Sequence, residues 1–101
     1  MSGFTRKCNS MIVQENINNL RKEIDQVDSQ LLQLLSERMY LVRQIGKAKK
    51  TAGLAVVQPD RFENMLTNRL ERAKQLKLNE TFIENFMNLI HEESIRLQSE
   101  L

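Results

Sequence analysis

The apolar positions in the first half of the chain follow a helical period. Between about Gln14 and Lys50 they recur at steps of three and four residues, and no Gly or Pro comes before Gly46. The apolar members of this stripe are Leu20, Ile24, Val27, Leu31, Leu34, Val42 and Ile45. The pattern predicts one long amphipathic helix. It also predicts a flexible N-terminal tail over residues 1–13, where no period is sustained.

The length of this predicted helix bears on assembly. Residues 14–50 would span roughly 55 Å at the rise of an α-helix. A globule of about 100 residues is only about 26 Å across, from its expected radius of gyration. A helix of this length must therefore project beyond its own globule or pair with another chain. We expect an intertwined homodimer.

Two shorter helices are predicted after the first. Gly53 is a typical helix stop, and the segment TAGLAVVQ is typical of a connecting loop. Pro59 suits the first position of a second helix, which would end near Leu76. Asn79 is a good N-cap for a third helix that runs to the end of the sequence. The prediction is an all-α fold: a three-helix protomer with a very long first helix, in one domain over residues 14–101.

Two cations interrupt the apolar stripe of the first helix. Arg38 and Lys49 stand where the period asks for a hydrophobic residue. They are eleven residues apart, so they differ by only about 20° around the helix axis and by about 16 Å along it. Their side chains could converge on a small anion. Alternatively, their stems could lie along apolar surface while the charged groups reach water.

The inward stripe of the third helix shows the same anomaly, because it continues with Ser94 and Gln98. These residues are four apart and share one face. A buried Ser or Gln needs hydrogen-bond partners, since each unsatisfied group costs roughly 1–3 kcal/mol. Alone, such a pair is usually a satisfied core contact. Together with Arg38 and Lys49, it predicts a polar pocket inside a helical bundle.

Composition narrows the classes of function. The net charge of +2 is too small to argue for nucleic acid or an anionic membrane. No apolar run approaches the 18 residues of a membrane span, and the N-terminus lacks the apolar region of a signal peptide. The single cysteine, Cys8, cannot form an internal disulfide, so we expect a cytoplasmic location.

The inventory of reactive side chains is short. His91 is the only histidine, which excludes a histidine metal cluster, and we expect it on the surface of the third helix. There is no glycine-rich phosphate loop. A pocket with Arg, Lys, Ser and Gln, but no nucleophile, base or metal ligand set, can only bind and polarise. We expect neither a metal nor a cofactor.

Three segments of the chain resemble the all-helical class of chorismate mutase. They are LRKEIDQVDSQLLQLLSERMYLVRQIGKAKK, QPDRFENML and IHEESIRLQ, and the match covers about residues 17–98 in the family's order and spacing. QPDRF followed by IHEESIRLQ resembles in particular the mutase domains fused to 3-deoxy-7-phosphoheptulonate synthase. The resemblance implies a dimer through the long first helices, with two shared active sites. It also makes a separate synthase a candidate partner.

The resemblance further implies a substrate and a set of site residues. The substrate is chorismate, a dianion that rearranges to prephenate in phenylalanine and tyrosine biosynthesis. Arg21 of the partner chain and Arg38 would bind the carboxylates, while Lys49 and Gln98 would donate to the ether oxygen. The residues that match the family's site are Arg21 from the partner chain and, from the same chain, Arg38, Lys49, Arg61, Ser94 and Gln98.

Two positions depart from the family's pattern, and both are candidates for substrate contact. Many members follow the second-helix arginine with a glutamate that binds the ring hydroxyl of the substrate, and here that position is Phe62. The preceding loop position, often acidic, is Gln58.

Other functions remain open. An isochorismate-pyruvate lyase shares the fold and a similar pocket, and some such enzymes also lack the glutamate. A non-catalytic mutase-like protein could regulate a separate synthase. A generic coiled-coil dimerisation module would explain the long helix, but not Ser94, Gln98 or the paired cations.

Overall fold

The computed structural model describes the backbone of residues 2–101 and the side chains of residues 9–101. The backbone forms three helices: α1 (Ser2–Ala52), α2 (Pro59–Gln75) and α3 (Glu80–Ser99). No strand occurs among residues 2–101. The predicted all-α protomer with a very long first helix is confirmed.

The predicted start of the first helix near Gln14 is wrong. α1 begins at Ser2, so residues 9–13 are helical, although they belong to the segment predicted as a flexible tail. An established helix extends at the cost of fixing only one further residue per hydrogen bond. Extension therefore needs no apolar period, and the side chains of Met11 and Ile12 are indeed exposed. The domain boundary at residue 14 stays a prediction.

The helix ends follow the predicted turn residues. Gly53 has a φ of 70°, which glycine adopts without a Cβ penalty, and it ends α1. Pro59 is the first residue of α2, after a loop that includes LAVV. The Asn79 side chain accepts a hydrogen bond from the Phe82 amide at 2.8 Å and caps α3. These predictions are confirmed.

The chain divides into two compact units, Met1–Glu37 and Arg38–Leu101. In the second unit, α2 and α3 pack with the last part of α1. The buried apolar side chains of this unit are Val42, Met65, Ala73, Met87, Ile90 and Leu97. Ser94 is buried among them and is polar. The polar anomaly of the third helix therefore lies in the core.

The first unit consists of the N-terminal part of α1 alone. Its apolar stripe is open to solvent: the exposed fractions are 50% for Leu20, 57% for Ile24, 56% for Val27, 43% for Leu31 and 63% for Leu34. A helix cannot bury such a stripe against itself. None of the helices, within the residues described, is long and apolar enough to cross a membrane.

Candidate active site

A cavity of about 250 Å³ lies within the second unit. It is bordered by the last turns of α1, the loop and first turns of α2, and the C-terminal half of α3. The lining residues are Arg38, Val42, Ile45, Lys49, Val56, Gln58, Arg61, Phe62, Met65, His91, Ser94, Ile95 and Gln98. All seven same-chain residues predicted for the site are among them. The structure thus brings together residues that the sequence separates by up to sixty positions.

Arg38 and Ser94 are joined directly. Arg38 Nη1 donates to Ser94 Oγ at 2.9 Å, and the same hydroxyl donates to the Ile90 carbonyl oxygen at 2.7 Å. Nη2 of Arg38 contacts Met65 Sδ at 3.8 Å. With its hydroxyl occupied on both sides, Ser94 holds the guanidinium in place. Arginine has five N–H donors, so N–H groups remain for an anion in the cavity.

Lys49 is held by two acceptors. Its Nζ donates to the Val56 carbonyl oxygen at 2.7 Å and to Gln98 Oε1 at 2.9 Å. An ammonium carries three N–H groups and no acceptor, so one donor remains free of these two bonds. For the same reason Gln98 must turn its amide oxygen towards Lys49. The amide nitrogen of Gln98 donates one hydrogen to the Ser94 carbonyl oxygen at 3.3 Å, which leaves its other hydrogen available.

Gly46 sets the spacing between α1 and α3 beside this pair. A Cβ built at this position would lie 2.8 Å from Gln98 Cγ, 3.3 Å from Gln98 Cα and 2.7 Å from Leu101 Cδ1. Any larger residue would therefore displace the side chains of Gln98 and Leu101 from their present positions. This role does not follow from the helical period, although a lone glycine inside a strongly helical segment is the signal that could have revealed it.

The cavity is electropositive. Arg38, Lys49 and Arg61 line it, and none of its lining residues is Asp or Glu. Burial lowers the pKa of the Arg38 guanidinium, and the positive charges of Arg69 and Arg61 lower that pKa further. A bound anion would relieve this repulsion and compensate the lost hydration. The site is suited to an anionic ligand.

His91 does not lie on the surface as predicted. It is half-buried, lines the cavity, and stacks on Phe62 with ring centroids 3.9 Å apart and planes 19° apart. The prediction was wrong because α2 covers that side of α3. The spacing carried a signal: His91 precedes Ser94 by three residues and Gln98 by seven, which places all three on one face.

The remaining predicted residues lie in different settings. Gln58 directly precedes α2, and its carbonyl oxygen accepts from the Arg61 and Phe62 amides at 3.0 and 3.3 Å. The first turn of α2 thereby carries Arg61 and Phe62 to the cavity. Arg21 belongs to the first unit, is exposed, and is not among the residues that line the cavity.

Comparison with known proteins shows the family to which this chain belongs. The family model for chorismate mutase type II matches residues 20–99. The T-protein of Haemophilus influenzae is 36% identical over 84 residues, which cover 83% of this chain and 22% of that protein. A bifunctional chorismate mutase/prephenate dehydratase of Aquifex aeolicus is 37% identical over 62 residues, which cover 61% of this chain and 17% of that protein.

A shorter relative is the chorismate mutase of Methanocaldococcus jannaschii, 29% identical over 58 residues, which cover 57% of this chain and 58% of that protein. The chain spans about a fifth of the length of the Haemophilus and Aquifex proteins. The matched region includes every residue that lines the cavity. The chain belongs to the chorismate mutase type II family.

Proposed function

We propose that this protein is a chorismate mutase, an isomerase that converts chorismate to prephenate. The observation that carries the proposal is the joined set of donors in one cavity. Arg38 and Lys49 come from α1, Gln98 comes from α3, and hydrogen bonds fix all three. A dianion with a reacting ether oxygen is the ligand that such donors fit.

The reaction explains why the cavity needs no acid or base. In this Claisen rearrangement the ether C–O bond breaks while a C–C bond forms, and no proton is transferred. Negative charge grows on the ether oxygen as its bond to carbon lengthens. A catalyst must bind the two carboxylates of chorismate, hold chorismate in the compact conformer that brings the bond-forming carbons together, and stabilise the charge that develops on the ether oxygen.

The cavity residues divide between these tasks. Arg38 and Arg61 bind carboxylates by charge-assisted hydrogen bonds, and Ser94 keeps Arg38 oriented. Lys49 and the amide nitrogen of Gln98 donate to the ether oxygen. Because Lys49 is already held by Val56 and Gln98, its ammonium needs little reorganisation as the charge develops.

The proposal includes a homodimer in which Arg21 of the partner chain completes each site. Its support is the exposed stripe on α1, whose members follow one another at alternating steps of four and three residues from Leu20 to Leu34. That spacing is typical of helices that pair along their length. A second copy would cover the stripe and would bring an exposed arginine of its own α1.

We propose, further, that a separate 3-deoxy-7-phosphoheptulonate synthase is a partner and that the location is cytoplasmic. The support for the synthase is the resemblance of the QPDRF and IHEESIRLQ segments to synthase-fused mutase domains. The support for the location is a single cysteine, since secreted domains of this size often carry several. Co-purification of the tagged chain with a synthase from its own cells would test the first point.

The test of the main proposal is product identification. Purified protein is incubated separately with chorismate and with isochorismate, and the products are followed by NMR. We expect prephenate from chorismate. Pyruvate and salicylate from isochorismate, with no prephenate, would identify a lyase. This is the alternative that Phe62 leaves open, since some lyases also lack the glutamate at that position. No product from either would leave a non-catalytic regulator.

A further inference from the structure

We propose that His91 recognises the ring hydroxyl of chorismate and so determines specificity. This inference rests on the proposed function and assigns a residue that the mechanism above leaves unused. His91 borders the same cavity as Lys49 and Gln98, and it lies on the same face of α3 as Ser94 and Gln98.

The stack on Phe62 gives the imidazole a fixed place. The two ring centroids are 3.9 Å apart and the rings are nearly parallel, with an interplanar angle of 19°. The stacking partner covers a ring face, while the ring nitrogens lie at its edge. Among the side chains of residues 9–101, the His91 ring makes no hydrogen bond, and no polar atom is both buried and without a partner, so the nitrogens of His91 keep access to solvent or ligand. The ring is thus positioned and its polar atoms are available.

The donor pattern of imidazole matches a hydroxyl. A carboxylate only accepts hydrogen bonds, and Arg38, Arg61 and Lys49 offer only donors. A hydroxyl both donates and accepts, and a neutral imidazole has one N–H donor and one acceptor nitrogen. Phe62 has no polar atom and cannot make the hydrogen bond that a glutamate would make there, whereas the ring stacked on it can. Gln58 also lines the cavity, and its side-chain amide can both donate and accept, but Gln58 is exposed and lies in the loop.

The test measures how well each protein distinguishes two substrates that differ only in the ring hydroxyl. kcat/KM is measured for chorismate and for its analogue without the ring hydroxyl, with the wild type, His91→Phe, His91→Gln and Gln58→Ala. His91→Phe keeps a flat ring against Phe62 but removes both nitrogens. His91→Gln keeps a donor and an acceptor. Because the substrates differ in intrinsic reactivity, the quantity compared between proteins is the ratio of the two kcat/KM values.

We expect His91→Phe to lower kcat/KM for chorismate about tenfold, the size of one lost hydrogen bond, and to change the value for the analogue by less than about twofold. His91→Gln should recover part of the ratio. Equal losses on both substrates would show a purely structural role and overturn the inference. A ratio that falls in Gln58→Ala but not in His91→Phe would overturn it in favour of Gln58.

The same experiment distinguishes a wrong role for His91 from a wrong assignment of the mutase activity. If the wild type rearranges both substrates and the ratio is the same in His91→Phe, only the role of His91 is refuted. If the wild type rearranges neither substrate, the mutase assignment is refuted and the specificity role falls with it.

Discussion

Lys49 Nζ lies 2.9 Å from Oε1 of Gln98, although 49 positions separate the two residues in the chain. The hydrogen bond joins the end of α1 to the end of α3. Since Lys49 can only donate, it fixes which end of the Gln98 amide faces it, and the amide nitrogen stays available as a donor. The pair can therefore present two donors to one oxygen atom.

Gln98→Glu should make the mutase reaction depend on pH. A carboxyl at this position donates to the ether oxygen only when it is protonated. The ammonium of Lys49 favours the ionised form and lowers the pKa of the new carboxyl, so donation should be lost as pH rises. Initial rates at saturating chorismate should be more than about tenfold higher at pH 5 than at pH 8, once divided by the wild-type rates, because the protonated fraction follows pH. Equal normalised rates at both pH values would remove Gln98 from the role of ether-oxygen donor.

Gly46→Ala should impair catalysis more than folding. The added methyl group would lie 2.8 Å from Gln98 Cγ and 3.3 Å from Gln98 Cα, so the Gln98 side chain must shift, and we expect this shift to disturb its hydrogen bond with Lys49. Overpacking lowers the free energy of unfolding by about 1–3 kcal/mol. Replacing a glycine inside a helix by alanine raises it by about 1 kcal/mol. The net loss of stability is then at most about 2 kcal/mol, which lowers Tm by no more than about 16 °C in a domain of this size. We expect kcat to fall by about tenfold or more, the effect of misplacing a transition-state donor, in a protein that remains folded.

The matched control for this variant is Lys47→Ala. Lys47 is the next residue of α1 and is exposed, so its loss should leave both kcat and Tm close to the wild type. A Gly46→Ala protein with wild-type kcat would show that the close approach of α3 has no part in placing Gln98.

The sequence predicts the polar part of the site because the period of each helix fixes which residues share a face. Arg38 and Lys49 stand out on α1, and Ser94 and Gln98 stand out on α3, before any helix is packed on another. The spacing of His91 and the lone Gly46 are signals in the sequence, but the contacts of these two residues cannot be predicted from one helix, because they depend on distances across two helices. The stacking partner of His91 is on α2, and the atoms that exclude a side chain at Gly46 are on α3.

The start of α1 could not be predicted for a different reason. A periodic apolar stripe indicates a helix face that packs against another element or chain. The residues around Met11 are exposed, and they are helical without packing against anything described. The role of Arg21 cannot be tested within one chain, because Arg21 is proposed to contact the substrate in the site of the partner chain.

Leu31→Glu should break the proposed dimer. Leu31 lies in the middle of the exposed stripe of α1, and a charge there would have to be buried against the partner helix at a cost of several kcal/mol. Sedimentation equilibrium at micromolar concentration should show a dimer for the wild type and a monomer for the variant. Gln33→Glu adds the same charge away from the stripe and should stay dimeric. A folded wild-type monomer of 11.9 kDa would contradict the dimer.

Arg21→Ala and Arg38→Ala should each abolish activity and should complement each other. In a mixed dimer one site carries both defects and the other carries neither. After random subunit exchange, half of the dimers are mixed, so about a quarter of the wild-type activity should return. The measurement is the rate of prephenate formation before and after exchange, with exchange verified by mass spectrometry of tagged chains. No recovery after verified exchange would show that Arg21 does not act across the dimer.

The most direct test of the account compares Lys49→Gln with Lys50→Gln. The two lysines are adjacent in α1, but Lys49 faces the cavity and Lys50 is exposed. Both variants lose one positive charge, so only the position differs. If the cavity stabilises charge on the ether oxygen, kcat/KM for the conversion of chorismate to prephenate should fall by about 100-fold or more in Lys49→Gln, as expected when one such donor is removed, and Lys50→Gln should stay near the wild type. Similar kcat/KM values for the two variants would contradict the account.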